Sequence, residues 1–392
     1  MTIHLPRLLK AARFCRPAIA VAAAAALVSM AACNAGTSAT GSRPVDAAGL
    51  ARAQAEVHSG VKQNQGFQAP GPVIGATTLR GKKIWVITFL SVPFAQQSVK
   101  GLTEAATAVG ATVTAVDGTA GVDAYQRGIR QAIAQRADAI VIGTLNPSLF
   151  TTDLQTARAQ GIKVVAVSSH APGQSPPSGE PVDGYVDPCY ECAGRLMADS
   201  AIADSKGHAD ATVLWSSDVQ IPGRNQLSAI QSEFKKNCPS CSVKVADVPS
   251  TQWATRLQSV SQTTITSNPN LTYLLPLYDG MVPFIQPAIR ATNATSRIKI
   301  TTFNATPAIM QQIGGGGVLS DVGIGSVRYG WGWADQTFRV LSGVAAVKNE
   351  QLPVRLFDNS NVSGLDLNAS TDTWYGAVDY RSAYRKLWGI TS

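Results

Sequence analysis

The chain has 392 residues and a formal charge of +8, and 45% of its residues are apolar, enough for a packed core and too many for a disordered chain. Four of the positive charges, Arg7, Lys10, Arg13 and Arg16, precede any acidic residue. Without them the charge is about +4 and dispersed, too mild for a nucleic-acid partner.

In chain order, the basic head is followed by an apolar run, Ala18 to Val28, and then by Ala31 and Ala32 leading into Cys33. Basic, apolar and small regions in that order form a secretion signal, and the run falls short of the ~18–20 residues that span a bilayer. The Ala-Ala-Cys ending resembles the lipobox of bacterial lipoproteins. Residues 1–33 are therefore expected to be a signal peptide and Cys33 the lipidated new N-terminus. The resemblance implies an extracytoplasmic, membrane-anchored protein, in the periplasm or on the outer face of the cytoplasmic membrane. The remaining chain, about 360 residues, exceeds the size at which one core splits, so two domains are expected.

Asn34 to Ser42 is a tether of small residues, Val45 to Val61 has helical spacing, and Gln68 to Thr78 is a Pro/Gly-rich connector; residues 34–81 thus read as a tether and N-terminal extension. From Lys82 the texture changes. Strand-like runs at Ile84–Phe89, Thr112–Val116, Ala139–Ile142, Val164–Val167, Ala211–Trp215, Val243–Val245, Thr272–Leu275 and Ile298–Phe303 alternate with helical patterns. The helices are expected to begin near Phe94, Val122, Leu149, Cys189, Arg224, Ala254, Met281 and Thr306. Such alternation predicts an α/β fold of parallel, doubly wound sheets with helices on both faces. Four units precede the loop Pro172–Pro181 and four follow it, giving two lobes. Gly314–Gly317 lacks the Lys-Ser/Thr of a phosphate loop and reads as a helix-ending turn.

Four cysteines remain outside the signal and Cys33: Cys189, Cys192, Cys238 and Cys241, in two Cys-x-x-Cys pairs. Local disulfides suit an oxidising compartment. A four-thiolate zinc site would need both pairs to converge, and a redox-active dithiol is the third reading, since Cys189 stands near a helix start. The histidines form no His-Glu-x-x-His pattern, no Gly-x-Ser-x-Gly elbow occurs, and the carboxylates are too scattered to nominate a catalytic pair. Nothing in the sequence points to an enzyme, a resident metal or a cofactor.

The segment Ile87-Thr-Phe-Leu-Ser-Val-Pro-Phe94, followed by a helix and Gly110-Ala-Thr-Val, resembles the opening of type 1 periplasmic binding proteins of the ribose-binding group. Asn146-Pro-Ser, Gly161-Ile-Lys-Val-Val, Gly223-Arg224, Asn268-Pro-Asn-Leu-Thr, Tyr278-Asp-Gly-Met, Phe303-Asn-Ala-Thr-Pro and the stretch Gly330–Gly343 continue the likeness in order, over residues 82 to about 350. The resemblance implies lobes of residues 82–186 plus about 326–355 and 187–325 plus about 356–392. It places hinges at Tyr185–Pro188, Gly323–Val327 and after Leu352.

It further implies a lipid-anchored monomer that binds a small molecule, sugar or sugar-like, between the lobes and delivers it to the permease of an ABC importer, with no nucleic-acid partner. A ligand sensor for a membrane receptor or kinase, a binder of a less polar ligand, and a thiol–disulfide oxidoreductase are the competing readings. The departures matter. Where ribose-type binders carry Asp-Arg after the fourth strand, this chain has Ser168-Ser169; Asn304 replaces an Asp, Tyr278 an Asn, and Gly325 a Gln. Nine positions are candidates for ligand contact. Phe94 opens a helix, Ser168 and Ser169 follow the fourth strand, Trp215 ends a strand, and Arg224 keeps the family's residue type. Trp253 lies in a strand–helix loop, while Tyr278, Asp279 and Asn304 follow strands, Asp279 also being suited to capping the next helix. Trp331, Trp333, Trp374 and Trp388 read as packing residues.

Overall fold

A helix, α1 (Ala47–Gly60), precedes the strand–helix alternation, which starts at β1 (Lys83–Thr88). The computed structural model describes residues 44–390 apart from 65, 76–78, 174–176, 316 and 369, and the side chains of 220 and 221 are not described. The signal, Cys33 and the tether 34–42 lie outside the described residues. After β1 come α2 (Pro93–Ala108), β2 (Thr112–Asp117), α3 (Val122–Ala134), β3 (Ala139–Gly143), α4 (Thr151–Ala159), β4 (Lys163–Val167) and β5 (Gly184–Val186). These strands form one parallel sheet in the order β2-β1-β3-β4-β5. The central strands β1, β3 and β4 are nearly continuous apolar runs because helices cover both their faces, whereas the edge strand β2 is largely exposed.

The second lobe repeats the plan. Its elements are α5 (Tyr190–Asp204), β6 (Asp210–Trp215), α6 (Gln220–Asn237), β7 (Ser242–Asp247), α7 (Trp253–Ser267), β8 (Tyr273–Pro276), α8 (Val282–Ala291), β9 (Lys299–Phe303), α9 (Pro307–Met310) and β10 (Val318–Gly323). The chain then returns to the first lobe as α10 (Ser326–Leu341), adds β11 (Arg355–Asp358) to the second sheet, and ends in α11 (Tyr380–Leu387). The second sheet has the order β11-β10-β9-β8-β6-β7, with β11 antiparallel.

Every strand expected from the sequence is present, and three more are seen: β5, β10 and β11. β5 is only three residues long, and β10 carries Ser320 and Asp321 inside the lobe at 1% and 0% exposure, so neither has a readable apolar period. The helix α10 crosses α2 backbone against backbone. A Cβ on Gly330 would stand 1.9 Å from the Ser98 carbonyl oxygen, and one on Gly101 would stand 2.1 Å from that of Val327. Only glycine allows that approach.

Both chain ends depart from expectation. Residues 356–392, expected wholly in the second lobe, divide between the lobes. β11, Trp374 and Tyr375 belong to the second, but Tyr380, Tyr384, Leu387 and Trp388 enter the first lobe's core beside Trp331 and Phe338. Their spacing puts them on one face of α11, and α10 offers the matching apolar surface. The extension is likewise structural rather than a loose lead. α1 packs Ala53 into the second lobe, while Ile74 and Leu79 are core residues of the first. The chain therefore passes between lobes at about residues 61–67 and 375–380 as well as at the three expected hinge segments.

The cysteines form two local disulfides, Cys189–Cys192 at the start of α5 and Cys238–Cys241 just after α6. Sulfurs paired with each other are not thiolate ligands, so the zinc reading falls.

Candidate functional site

In both sheets the strand order reverses next to the first strand of the lobe, between β1 and β3 and between β6 and β8. Ligands of open parallel sheets bind beyond the carboxyl ends of the strands at such points. Here the two sets of carboxyl ends enclose a cavity of about 460 Å³, within the range of small-molecule sites. The first lobe supplies Phe89, Phe94, Thr119, Thr144 and Ser168, each just after a strand or at a helix start. The second supplies Tyr190, Pro222, Thr251, Trp253, Tyr278, Phe303 and Asn304. No Asp, Glu, Lys or Arg lines it among the described residues.

The carboxylates near the cavity are engaged in holding its loops. Asp117 accepts from the backbone N–H groups of Leu90 and Thr119 at 3.1 and 2.9 Å, and the Thr119 hydroxyl holds its carboxyl below the ordinary range. Asp218 accepts from the Ser250 N–H and hydroxyl at 2.9 and 2.7 Å. Asp279 accepts from the Thr306 N–H and hydroxyl at 2.8 and 2.6 Å. Asp321 accepts from the Ala305 N–H at 3.1 Å. The last two fix a turn in which Asn304 and Ala305 have φ values of 131° and 51°, and that turn presents Asn304 to the cavity.

Five of the nine candidates, Phe94, Ser168, Trp253, Tyr278 and Asn304, line the cavity, and four do not. Ser168 has φ 55°, which turns the chain so that the next residue, Ser169, points inward. The Ser169 N–H then donates to Asp187 Oδ1 at 2.6 Å and its side chain is 1% exposed. Trp215 packs against the second lobe's core. Arg224 is exposed because α6 begins a turn earlier than expected, leaving Pro222 to face the cavity. Asp279 is buried beneath the turn it pins.

Sequence reasoning missed Phe89, Tyr190 and Phe303. A search of positions directly at the carboxyl ends of strands would have found Phe89 and Phe303; Tyr190 follows β5, which had no readable pattern. The aromatic walls are braced ring against ring. Trp253 and Tyr278 have centroids 6.2 Å apart, Phe94 lies 5.9 Å from Tyr329, and Tyr190 lies 5.9 Å from Phe303. The Trp253 indole N–H donates to Ser216 Oγ at 2.9 Å, which sets the ring's orientation. The Tyr278 hydroxyl is buried with no hydrogen-bond partner among the described residues, and burial pushes its pKa up.

Several buried carboxyls titrate high. Burial raises Asp187 to about 6, against the N–H bonds of His170 and Ser169. Burial also raises Asp279 to about 6, Asp199 to about 7, and Asp321 well above the usual carboxylate range, the last helped by the charge of Asp279. Each folded-state pKa exceeds the unfolded value near ~4. The stability these groups contribute is therefore fully present below that value and lost as pH rises through about 6–7. Thermal unfolding should give a Tm several degrees higher at about pH 5 than at about pH 8, and Asp199→Asn should flatten that slope. A Tm that rises with pH across this window would contradict the assignment.

A family model described as a periplasmic binding protein domain matches residues 84–344. No curated protein matches the chain. Among solved structures, a solute-binding protein of an ABC transporter from Agrobacterium vitis, bound with α-D-tagatopyranose, is 16% identical with a TM-score of 0.66; the match covers 76% of this chain and 100% of that one. The Caulobacter myo-inositol binding protein is 18% identical with a TM-score of 0.64, over 76% and 98% of the two chains. A galactofuranose binding protein is 15% identical with a TM-score of 0.65, over 75% and 100%. At these identities the solved structures speak for the fold, and the family match spans most of both lobes. The chain thus belongs to the periplasmic binding protein family, with the two-lobed type 1 fold.

Proposed function

We propose that the chain is an exported lipoprotein, anchored through Cys33, that captures a small molecule between its lobes and hands it to the permease of an ABC importer. The observation that carries this reading is the cavity of about 460 Å³ formed by strand ends of both lobes at once. A ligand touching both walls makes contacts in the closed form that an open form lacks, and that differential affinity is what draws the equilibrium toward closure. Phe94 and Ser168 stand on one wall, Trp253, Tyr278 and Asn304 on the other.

The relatives named for tagatopyranose, myo-inositol and galactofuranose support the mode of capture. The basic head, apolar run and Ala31-Ala32-Cys33 support export and lipidation. Two measurements test the proposal. Labelled palmitate should enter the wild-type chain and be absent from Cys33→Ala; equal labelling would end the lipoprotein reading. Saturating ligand should shrink the radius of gyration of the mature chain in solution scattering, and saturable binding with no compaction would count against closure around the ligand.

A further inference from the structure

We infer that the ligand is an uncharged compound built around a flat apolar ring with few polar substituents, rather than a polyhydroxylated sugar. This rests on the binding reading above and specifies the chemistry of the same cavity.

Six rings line the walls. Phe89 and Phe94 stand on the first lobe, and Tyr190, Trp253, Tyr278 and Phe303 on the second. Five of these rings lie in ring–ring contacts at 5.9–6.2 Å, so their faces are set before any ligand arrives. Ring faces at such spacings accept a further ring in stacked or edge-on contact. A fixed apolar slot of this kind gains little by rearranging and favours a rigid, flat occupant.

The polar atoms on the walls point the same way. A sugar presents hydroxyls around its whole rim, each needing a donor or an acceptor once it is removed from water. Here three of the lining hydroxyls are already engaged within the protein. Ser168 Oγ pairs with the Tyr329 hydroxyl at 2.8 Å, Thr119 Oγ1 donates to Asp117 at 2.5 Å, and Ser250 Oγ donates to Asp218 at 2.7 Å. The Trp253 N–H is held by Ser216. Among the described residues the groups left for a ligand are few: the Asn304 amide, whose one protein contact is a long 3.4 Å bond to Asp279, and the hydroxyls of Ser91 and Thr251. They suit a few polar substituents on a ring system. With no ionised side chain on the walls, a charged group would be buried without a counter-charge.

The test is calorimetry and thermal shift on the mature chain with two probe panels. One panel holds neutral phenols, indoles and aromatic amides; the other holds aldoses, ketoses, polyols and inositols. The aromatic panel should give saturable binding with quenching of tryptophan fluorescence. Trp253→Ala should weaken it by about tenfold or more, and Trp253→Phe, which keeps a ring, by about threefold or less. Phe94→Leu provides a second variant should Trp253→Ala fold poorly. A neutral aromatic amide should bind better than the corresponding carboxylate. Saturable binding by a sugar, abolished in Trp253→Ala, would overturn the inference while leaving the solute-binding reading intact. Preference for the carboxylate would also overturn it, and silence of both panels would count against the inference and the binding reading together.

Discussion

Trp388→Ala should destabilise the protein by about 3–5 kcal/mol, the range for removing a large aromatic side chain from a packed core. Trp388 lies only four residues from the chain's end, where substitutions are usually tolerated, yet it is fully buried. Its ring stacks on Trp331 with centroids 5.3 Å apart and planes at 7°, and meets Phe338 edge-on at 4.8 Å and Tyr384 at 5.5 Å. Its indole N–H donates to Asp335 Oδ1 at 2.6 Å. Truncation would open a cavity and also remove a donor from a buried carboxylate. Denaturant unfolding of the mature chain measures the loss, and a change below about 1 kcal/mol would show that α11 does not hold the first lobe together. The residue is thus a poor neutral control for the cleft, despite its distance in sequence from every cavity-lining position.

Asp335→Ala should cost a similar ~3–5 kcal/mol, for an electrostatic reason. Arg339 and Asp335 are both fully buried and joined through Nε to Oδ2 at 2.6 Å, and Arg339 reaches the Pro72 carbonyl oxygen at 3.0 Å. Removing the carboxylate would strand a guanidinium in the core. A second carboxyl, Glu350, is buried close by; burial and the charge of Asp335 push its pKa well up, and burial also raises that of Asp335 against the pull of Arg339. The cluster holds two buried carboxyls beside one guanidinium. Replacing both partners by apolar residues of similar size, Asp335→Leu with Arg339→Met, should recover much of the loss, since burying the pair is itself expensive. If the double variant is no more stable than Asp335→Ala, uncompensated charge is not the cause. Because Trp388 donates to Asp335, the effects of Trp388→Ala and Asp335→Ala should fall short of additive.

The same electrostatic logic separates this cavity from the pattern the ribose-type resemblance implied. A charge-assisted hydrogen bond contributes ~1.5–3 kcal/mol, roughly twice a neutral one. Of the residues that replace the family's charged groups, Ser168 and Asn304 line the cavity and Ser169 does not, while Arg224, the charged residue that kept its family type, stands outside it. The remaining carboxylates lie behind the walls and organise loops.

The sequence by itself determined the alternation of strands and helices, the two lobes and the carboxyl-end location of the cleft. These depend on local periodicity: apolar runs such as Ile84–Phe89 and Val164–Val167 must be buried on both faces, and helices between parallel strands leave their connecting loops at one end of the sheet. It also marked Phe94, Trp253, Tyr278 and Asn304, because each stands just after a strand or at the start of the helix that follows one. Tertiary structure alone decided which neighbour of a loop residue faces the ligand. Ser168 and Ser169 are adjacent, and one positive φ sends the first to the cavity and the second to Asp187. It also decided that α1 and α11 sit on opposite lobes, since an amphipathic stripe specifies that a face is buried but not which partner buries it. The buried cluster of Asp335, Arg339, Glu350 and Trp388 was invisible for the same reason: charge reads as surface in a sequence, and only packing shows that it has been taken inside and paired.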